Sequence, residues 1–191
     1  MASNKKDNSN ETNDELELFE FKKDLLNLVH IAADASGEFH EEKFFDDMSE
    51  LLCEAGVYDD IQKDPYVNSR RGIRIDGWNW NKTERILSAV ITKFSNDEEL
   101  VKISKAEIEK LGKQASRFIS NINNSKFLES LDDSDPALEL AKEMSSYLND
   151  LGIDGEEGFR PAAHKFRVIV LTDHLLSERV KLGKLKIENI H

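Results

Sequence analysis

The spacing of apolar side chains predicts two helices at the start of the chain. Apolar residues recur at three- and four-residue steps over residues 16–33 and again over residues 41–55, as in amphipathic helices. Gly37 and Gly56 follow these runs, where a helix end favours a left-handed residue. Residues 1–14 are polar and rich in asparagine, so they are predicted to be a disordered tail that precedes one domain, 15–191. The apolar stripe of the first helix consists of Leu18, Phe21, Leu25, Leu28, Val29 and Ala32.

A β-hairpin is predicted in the middle of the chain. Residues 72–80 alternate between apolar and polar side chains, and residues 85–94 are rich in β-branched and aromatic types. Side chains two apart lie on the same face of a strand. One face of the first strand is therefore predicted to carry Arg74, Asp76, Trp78 and Trp80, and one face of the second to carry Leu87, Ala89, Ile91 and Lys93.

Helices and strands also alternate in the second half. Ser104 and Glu107 form a capping box that opens a helix, and Pro136 is placed to begin another. The continuous apolar run at 166–172 predicts a buried central strand, and residues 184–190 predict a last strand. The fold class is therefore α/β, with a small mixed β-sheet flanked by helices.

Charge is distributed unevenly along the chain. The formal net charge is −12, which excludes a uniformly basic DNA-binding module. Residues 70–93 and 160–191 are nevertheless each positive by four charges, whereas residues 1–69 and 94–159 are strongly acidic. A basic face on an acidic body is one interpretation; the other is that the helices carry acidic solvated surfaces and the strands do not.

Several classes of protein are excluded or disfavoured by absent motifs. The single cysteine excludes an intrachain disulfide framework and a cysteine-based zinc site, and no segment has 18 uninterrupted apolar residues. The sequence contains no phosphate-binding glycine loop, nucleophile elbow or HExxH motif. We therefore expect a cytoplasmic protein that does not engage membranes.

The remaining motifs resemble a nuclease superfamily. Phe45-Asp46 in a helix, Ile75-Asp76-Gly77 in a strand and Lys93 at the end of the next strand occur in the order typical of the Mrr-like branch of the PD-(D/E)xK superfamily. More narrowly, the pattern F-x-E-x-x-F…L-C-E-A-G…G-I-R-I-D-G-W, which runs from residue 39 to 78, resembles the N-terminal region of AIPR (abortive infection phage resistance) proteins. The resemblance implies a restriction-endonuclease-like core of order α-β-β-α-β and leaves open whether the chain is part of a longer protein.

This resemblance implies a metal-dependent site if the core is active. Carboxylates bind Mg²⁺, and a lysine can orient or activate water beside the developing charge. Asp46 and Asp76 would then be the metal ligands, and Asp76 and Lys93 the catalytic residues. The family pattern has Glu or Gln at the position of Ile91, which cannot bind a metal, so an active site would need a relocated acid such as Asp59, Glu84 or Asp97.

Three functions remain open at this level. The first is a phage-defence domain with a degenerate nuclease-like core that binds DNA or a partner protein. The second is an active Mg²⁺-dependent nuclease, and the third is an acidic interaction module that does not bind nucleic acid. Ile91 favours the first over the second, and the basic block favours it over the third. The residues predicted to contact nucleic acid are Arg70, Arg71, Arg74, Trp78, Lys82 and Arg85, and the C-terminal strand is a candidate edge for pairing with itself or with a partner protein.

Overall fold

The architecture is a mixed α/β fold with small sheets flanked by helices. The computed structural model describes residues 8–122, 124–150 and 165–177. The helices are α1 (Asn8–Ser36), α2 (His40–Glu54), α3 (Lys105–Asn121), α4 (Ser125–Leu128) and α5 (Pro136–Asp150). The strands are β1 (Tyr66–Asn68), β2 (Ile73–Ile75), β3 (Gly77–Asn81), β4 (Ile86–Lys93), β5 (Lys102–Ile103), β6 (Lys165–Thr172) and β7 (Leu175–Leu176). The predicted fold class is thus confirmed.

The central strand of the main sheet is β4. It pairs with β3 in the antiparallel direction, as the hairpin prediction requires, and with β6 in the parallel direction. Seven of its eight residues are buried. The run at 166–172 was expected to be central, but β6 lies at the edge of the described sheet and is mostly half-buried. An apolar run indicates that a strand packs against the core, but it reports neither how completely the strand is covered nor how many strands lie beside it.

Two apolar layers cover the faces of this sheet. On one face, Phe44 and Phe45 of α2 pack with Val90, and we call this the α2 face. On the other, the α3 face, Phe118 of α3 packs with Trp78 and Ala89. Neighbouring β4 residues alternate between the two layers, as the period of a strand requires.

The first helix is longer than the apolar pattern predicts, and its buried stripe coincides with the predicted one only in part. It begins at Asn8, inside the predicted tail, and ends before Gly37, which has a φ of +77°. Among residues 15–36 the buried positions are Lys22, Leu26, Val29 and Ala33, whereas Leu18, Phe21 and Leu28 of the predicted stripe are exposed. The Lys22 side chain can be buried because its Nζ donates to the carbonyl oxygen of Glu99 at 2.6 Å and lies 3.5 Å from Asp173 Oδ2.

The first hairpin strand is interrupted at Asp76, which corrects the prediction of one shared face. Ile75 packs with Trp78 in the α3-face layer, although strict alternation would place them on opposite faces. Arg74 and Asp76 instead line a cavity beside Phe45 of α2. The bend between β2 and β3 therefore places Arg74 and Asp76 on one side of the sheet and Trp78 on the other.

Two further predictions concern the C-terminal strand and the absence of a membrane-spanning segment. The strand predicted at 184–190 lies outside the described residues. Within the ranges given above, no helix is both long and apolar enough to cross a membrane.

Candidate functional site

The carboxylate of Asp76 is held where β2 ends and β3 begins. Its backbone N–H donates to the Val90 carbonyl oxygen at 2.8 Å, and its Oδ2 accepts the Thr92 backbone N–H at 2.6 Å. The following Gly77 is required by close packing, because a Cβ there would overlap the Gln62 carbonyl oxygen and lie 2.7 Å from Phe45 Cζ. The Asp-Gly pair thus places a carboxylate against the backbone of the central strand.

Arg74 binds this carboxylate at both oxygens. Its Nε donates to Asp76 Oδ1 at 3.2 Å and its Nη2 to Oδ2 at 3.1 Å, and the same Nη2 donates to Glu41 Oε1 at 3.0 Å. Burial works against the charge of Arg74, but the charges and hydrogen bonds of Asp76 and Glu41 outweigh it and raise the Arg74 pKa. Such a bidentate pair is among the stronger interactions of a carboxylate in a protein. Both carboxylate oxygens of Asp76 are therefore already bound by a cation.

A cavity of about 160 Å³ adjoins this ion pair. Its walls combine charged, polar and apolar side chains: Glu41, Glu42, Phe45, Lys63, Pro65, Arg74, Asp76 and Thr92. The Thr92 hydroxyl is buried and has no hydrogen-bond partner within the described part of the chain. We call this space the Asp76 cavity.

Asp46, the other predicted metal ligand, is also paired with a cation. Its Oδ2 accepts a hydrogen bond from Lys63 Nζ at 2.8 Å, and Glu38 lies 3.7 Å from the same ammonium group. Burial lowers the Lys63 pKa, but Asp46, Glu38 and Glu42 outweigh that effect and raise it. Asp46 is absent from the walls of the Asp76 cavity.

Lys93 and Ile91 belong to the opposite face of the sheet. Ile91 is 0% exposed and packs with Ile103 and with Leu111 of α3. Lys93 is two residues further along the same strand and helps to lower the pKa of Glu107 at the start of α3, where hydrogen bonds from Ser104 are the larger cause. Asp76 and Lys93 therefore lie on different faces of β4 and do not converge on one cavity.

The acids considered as replacements lie away from the Asp76 cavity. Asp59 and Glu84 line a second, polar cavity with Arg167, and Asp97 accepts a hydrogen bond from the backbone of Glu99. In the described ranges, no group of three or more His, Cys, Asp or Glu side chains is arranged to hold a metal ion. With Arg74 on Asp76 and Lys63 on Asp46, this donor set does not fit a resident Mg²⁺.

The residues predicted to contact nucleic acid are distributed over several environments. Trp78 is 6% exposed and stacks on Phe118, so its ring offers almost no surface to a base. Lys82 pairs with Glu143 at 2.6 Å, and Arg85 ends the β3–β4 turn with a φ of +53°. Arg74 is bound to Asp76 and Glu41, as described above.

Arg70 and Arg71 instead join cations from α3 and α4. Arg71 donates to Asn121 Oδ1 at 3.3 Å and lies 5.2 Å over the Phe127 ring, and Arg117 donates to the Gly72 carbonyl oxygen at 3.2 Å. Further along α3, Lys113 and Lys110 lie four and seven residues before Arg117 and are exposed like it. We call this set the basic surface; it consists of Arg70, Arg71, Lys110, Lys113, Arg117 and Lys126.

Four members of the basic surface were missed at the sequence level. Lys110, Lys113, Arg117 and Lys126 fall in the block 94–159, whose net charge is negative, so block counting concealed them. Their spacing on the predicted α3 helix was the signal that could have found the first three, because positions separated by three, four and seven residues share a helix face.

Comparison with known proteins identifies the family. Residues 44–191 match the family model described as the abortive infection phage resistance protein N-terminal domain. No curated protein matches the chain, and no solved structure matches it. Because the family match covers well over half of the sequence, the chain belongs to the abortive infection phage resistance protein N-terminal domain family.

Proposed function

We propose that this domain acts in phage defence by binding DNA through the basic surface, and that its nuclease-like core has become a closed ion-pair cluster. The family supports the defence role. The bidentate contact of Arg74 with Asp76 is the observation that carries the second part, because a guanidinium already neutralises the carboxylate that a metal would need.

The basic surface supports binding of a polyanion. Six cations lie on adjoining parts of α3, α4 and the β1–β2 turn, and none of these six has an ion pair among the contacts of the described residues. Exposed cations that are not neutralised by acidic neighbours attract phosphates and release counterions when they bind. The acidic remainder of the chain would limit binding to this one surface.

The contacts within the core disfavour cleavage of a bound phosphodiester. An in-line attack on a phosphodiester requires the cation, the metal ligands and the phosphate to meet in one place. Here Asp76 faces α2 and Lys93 belongs to the α3 face. Binding without cleavage is therefore the function that we favour over an active nuclease.

The test combines binding and cleavage on the same purified chain. We expect a short DNA duplex to bind at low salt in EDTA, measured by fluorescence anisotropy, with a log–log salt slope between about −3.5 and −5.5 for four to six phosphate contacts. Supercoiled plasmid should remain intact in Mg²⁺ or Mn²⁺. Absence of binding at low salt would refute the DNA proposal and favour a protein partner. Nicking that Asp76→Ala abolishes would establish an active nuclease.

A further inference from the structure

A second cavity lies at the opposite end of α2 from the Asp76 cavity. Glu41 and Glu42 at the start of α2 line the Asp76 cavity, whereas Gly56 and Val57, just beyond the end of the helix, line the second one. This second space has a volume of about 180 Å³, below the roughly 300 Å³ at which pockets for drug-sized molecules begin. Its size suits a ligand no larger than an amino acid. We call it the polar cavity, because most of its lining side chains are polar or charged: Tyr58, Asp59, Asn79, Asn81, Glu84 and Arg167.

Two acids of the polar cavity are linked through a single asparagine. Asn81 Nδ2 donates to Asp59 Oδ2 at 3.4 Å, and Asn81 Oδ1 accepts the Glu84 backbone N–H at 2.8 Å. The Asn79 amide donates to the Asp60 carbonyl oxygen and so fastens the loop that carries Asp59 to β3. The segment that follows the end of α2 lines the same cavity, and the C-terminus of a helix attracts cations. This part of the polar cavity is therefore suited to cationic groups.

Arg167 of β6 brings a positive charge to the same cavity. It is exposed and has no ion-pair partner in the described part of the chain. In the sheet, Ser88 lies opposite both Asn79 and Arg167, so the three side chains form one row on the α2 face. The Ser88 hydroxyl is buried and likewise has no hydrogen-bond partner among the described residues. A guanidinium and a hydroxyl are both donors, so this row is suited to a carboxylate.

The balance of charges defines the chemistry of a ligand. Asp59 and Glu84 carry two negative charges, and Arg167 carries one positive charge, yet the arginine pairs with neither acid. Charged groups that line one cavity without contacting each other leave room for a ligand of complementary charge. A dicarboxylate would be repelled by the two acids, and a polyamine offers nothing to the arginine. One carboxylate and two cationic groups match all three side chains, and at this size that composition is a basic amino acid.

We propose that the polar cavity binds a free basic amino acid. Its carboxylate pairs with Arg167, and its α-ammonium and side-chain cation pair with Asp59 and Glu84. The polar cavity lies on the α2 face, whereas the basic surface belongs to α3, α4 and the β1–β2 turn. Binding of the amino acid therefore does not require DNA.

Three ligands that differ in one charged group test this proposal. L-Arginine carries all three groups, agmatine lacks the carboxylate, and L-citrulline lacks the side-chain charge. In ¹H–¹⁵N correlation spectra of the full chain without DNA, arginine should shift the amides of residues 56–59 and 79–86 with a dissociation constant of about 1 mM or lower. Agmatine and citrulline should each bind at least about tenfold more weakly, because each leaves a charged group of the cavity unpaired.

Two variants assign the charges to their partners. In Arg167→Ala, arginine should lose its advantage over agmatine and keep its advantage over citrulline. In D59N/E84Q it should lose its advantage over citrulline and keep that over agmatine. The matched controls, Arg70→Ala and D24N/E50Q, change the same residue types at exposed positions outside the cavity and should leave all three affinities unchanged. The dispersion of the same spectra reports that each variant is folded.

Three results would overturn the proposal. The first is the absence of amide shifts with arginine at millimolar concentrations. The second is equal affinity of the wild type for arginine and agmatine, which would indicate a site for organic cations. The third is an arginine affinity that neither Arg167→Ala nor D59N/E84Q changes, which would place the bound amino acid outside the polar cavity.

Discussion

The two sides of the β-hairpin use basic residues from one sequence block in opposite ways. On the α2 face, Arg74 is half-buried and bound by Asp76 and Glu41. On the side of α3, Arg70 and Arg71 stay exposed and are joined by lysines and an arginine of the helices. A positive block in a sequence therefore does not define a binding surface until the acids that fold against it are known.

The largest effect on stability is expected from placing a glutamate at position 91, where the nuclease pattern has Glu or Gln. Ile91→Glu should lower the free energy of unfolding by about 4 kcal/mol or more, because it buries a carboxylate in a fully apolar layer. Urea denaturation measures the loss, and Ile91→Val, with an expected loss of about 1 kcal/mol, is the matched control. An Ile91→Glu protein that keeps wild-type stability and cuts plasmid would contradict the separation of the two faces.

The next effect concerns the ion pair itself. Asp76→Ala should reduce the free energy of unfolding by about 2–3 kcal/mol, since it leaves Arg74 half-buried and removes the acceptor of the Thr92 N–H. Asp47→Ala removes the more exposed partner of Lys43 and should cost at most about 1 kcal/mol. Similar losses in the two variants would show that the Arg74–Asp76 contact is no stronger than a surface pair.

A smaller effect should appear at acidic pH, at the contact between α1 and the end of β6. Burial works to raise the Asp173 pKa, but hydrogen bonds from Ser95 and the charges of Lys22 and His174 outweigh it and lower the pKa. A lowered pKa contributes stability above the unfolded-state value of about 3.9, and that stability is lost as the pH falls through the folded-state value.

The variant Asp173→Asn isolates this contribution. At pH 7 it should be less stable than the wild type by about 2 kcal/mol, because Lys22 keeps a buried charge without its partner. Below about pH 4 the difference should narrow, since the wild-type carboxylate is then protonated too. Thermal unfolding between about pH 2 and pH 7 measures the difference, and a constant gap across that range would contradict the assigned pKa direction.

The smallest effect is expected for the DNA affinity of a variant at Lys82. Lys82 lies at the β3–β4 turn, pairs with Glu143 and is not a member of the basic surface. Lys82→Ala should therefore change the affinity for DNA less than about twofold, because phosphate contacts and not net charge dominate binding. A loss as large as that caused by removing Lys113 would extend the DNA-binding surface to this turn.

Local sequence signals were sufficient for most of the elements. The capping box at Ser104 and Glu107 and the proline at 136 mark the starts of α3 and α5, because both act within one helical turn. Hydrophobic periodicity likewise indicated the β3–β4 hairpin. These signals depend on a few neighbouring residues and not on the tertiary structure.

The site was less predictable because it depends on contacts between distant segments. Strict alternation predicted that Asp76 and Trp78 share a face, but a bend at Asp76 separates them. The bend is followed by Gly77, where the approach of Gln62 and Phe45 leaves no room for a side chain. The pairing of Arg74 with Glu41 joins residues 33 positions apart. In α1 a lysine, Lys22, occupies a buried position, because the Glu99 carbonyl oxygen accepts its hydrogen bond and Asp173 pairs with its charge. No local pattern contains these partners.

The measurement that tests the central claim most directly compares DNA binding by two variants with equal changes in net charge. R70E/K110E/K113E reverses three exposed members of the basic surface, and K23E/K102E/K142E reverses three exposed lysines outside it. Anisotropy titrations at several salt concentrations should show at least about a tenfold loss of affinity and a salt slope about 3 units shallower for the first variant. The second should stay within about threefold of the wild type. Equal losses in both variants would contradict the claim that DNA binds at the basic surface.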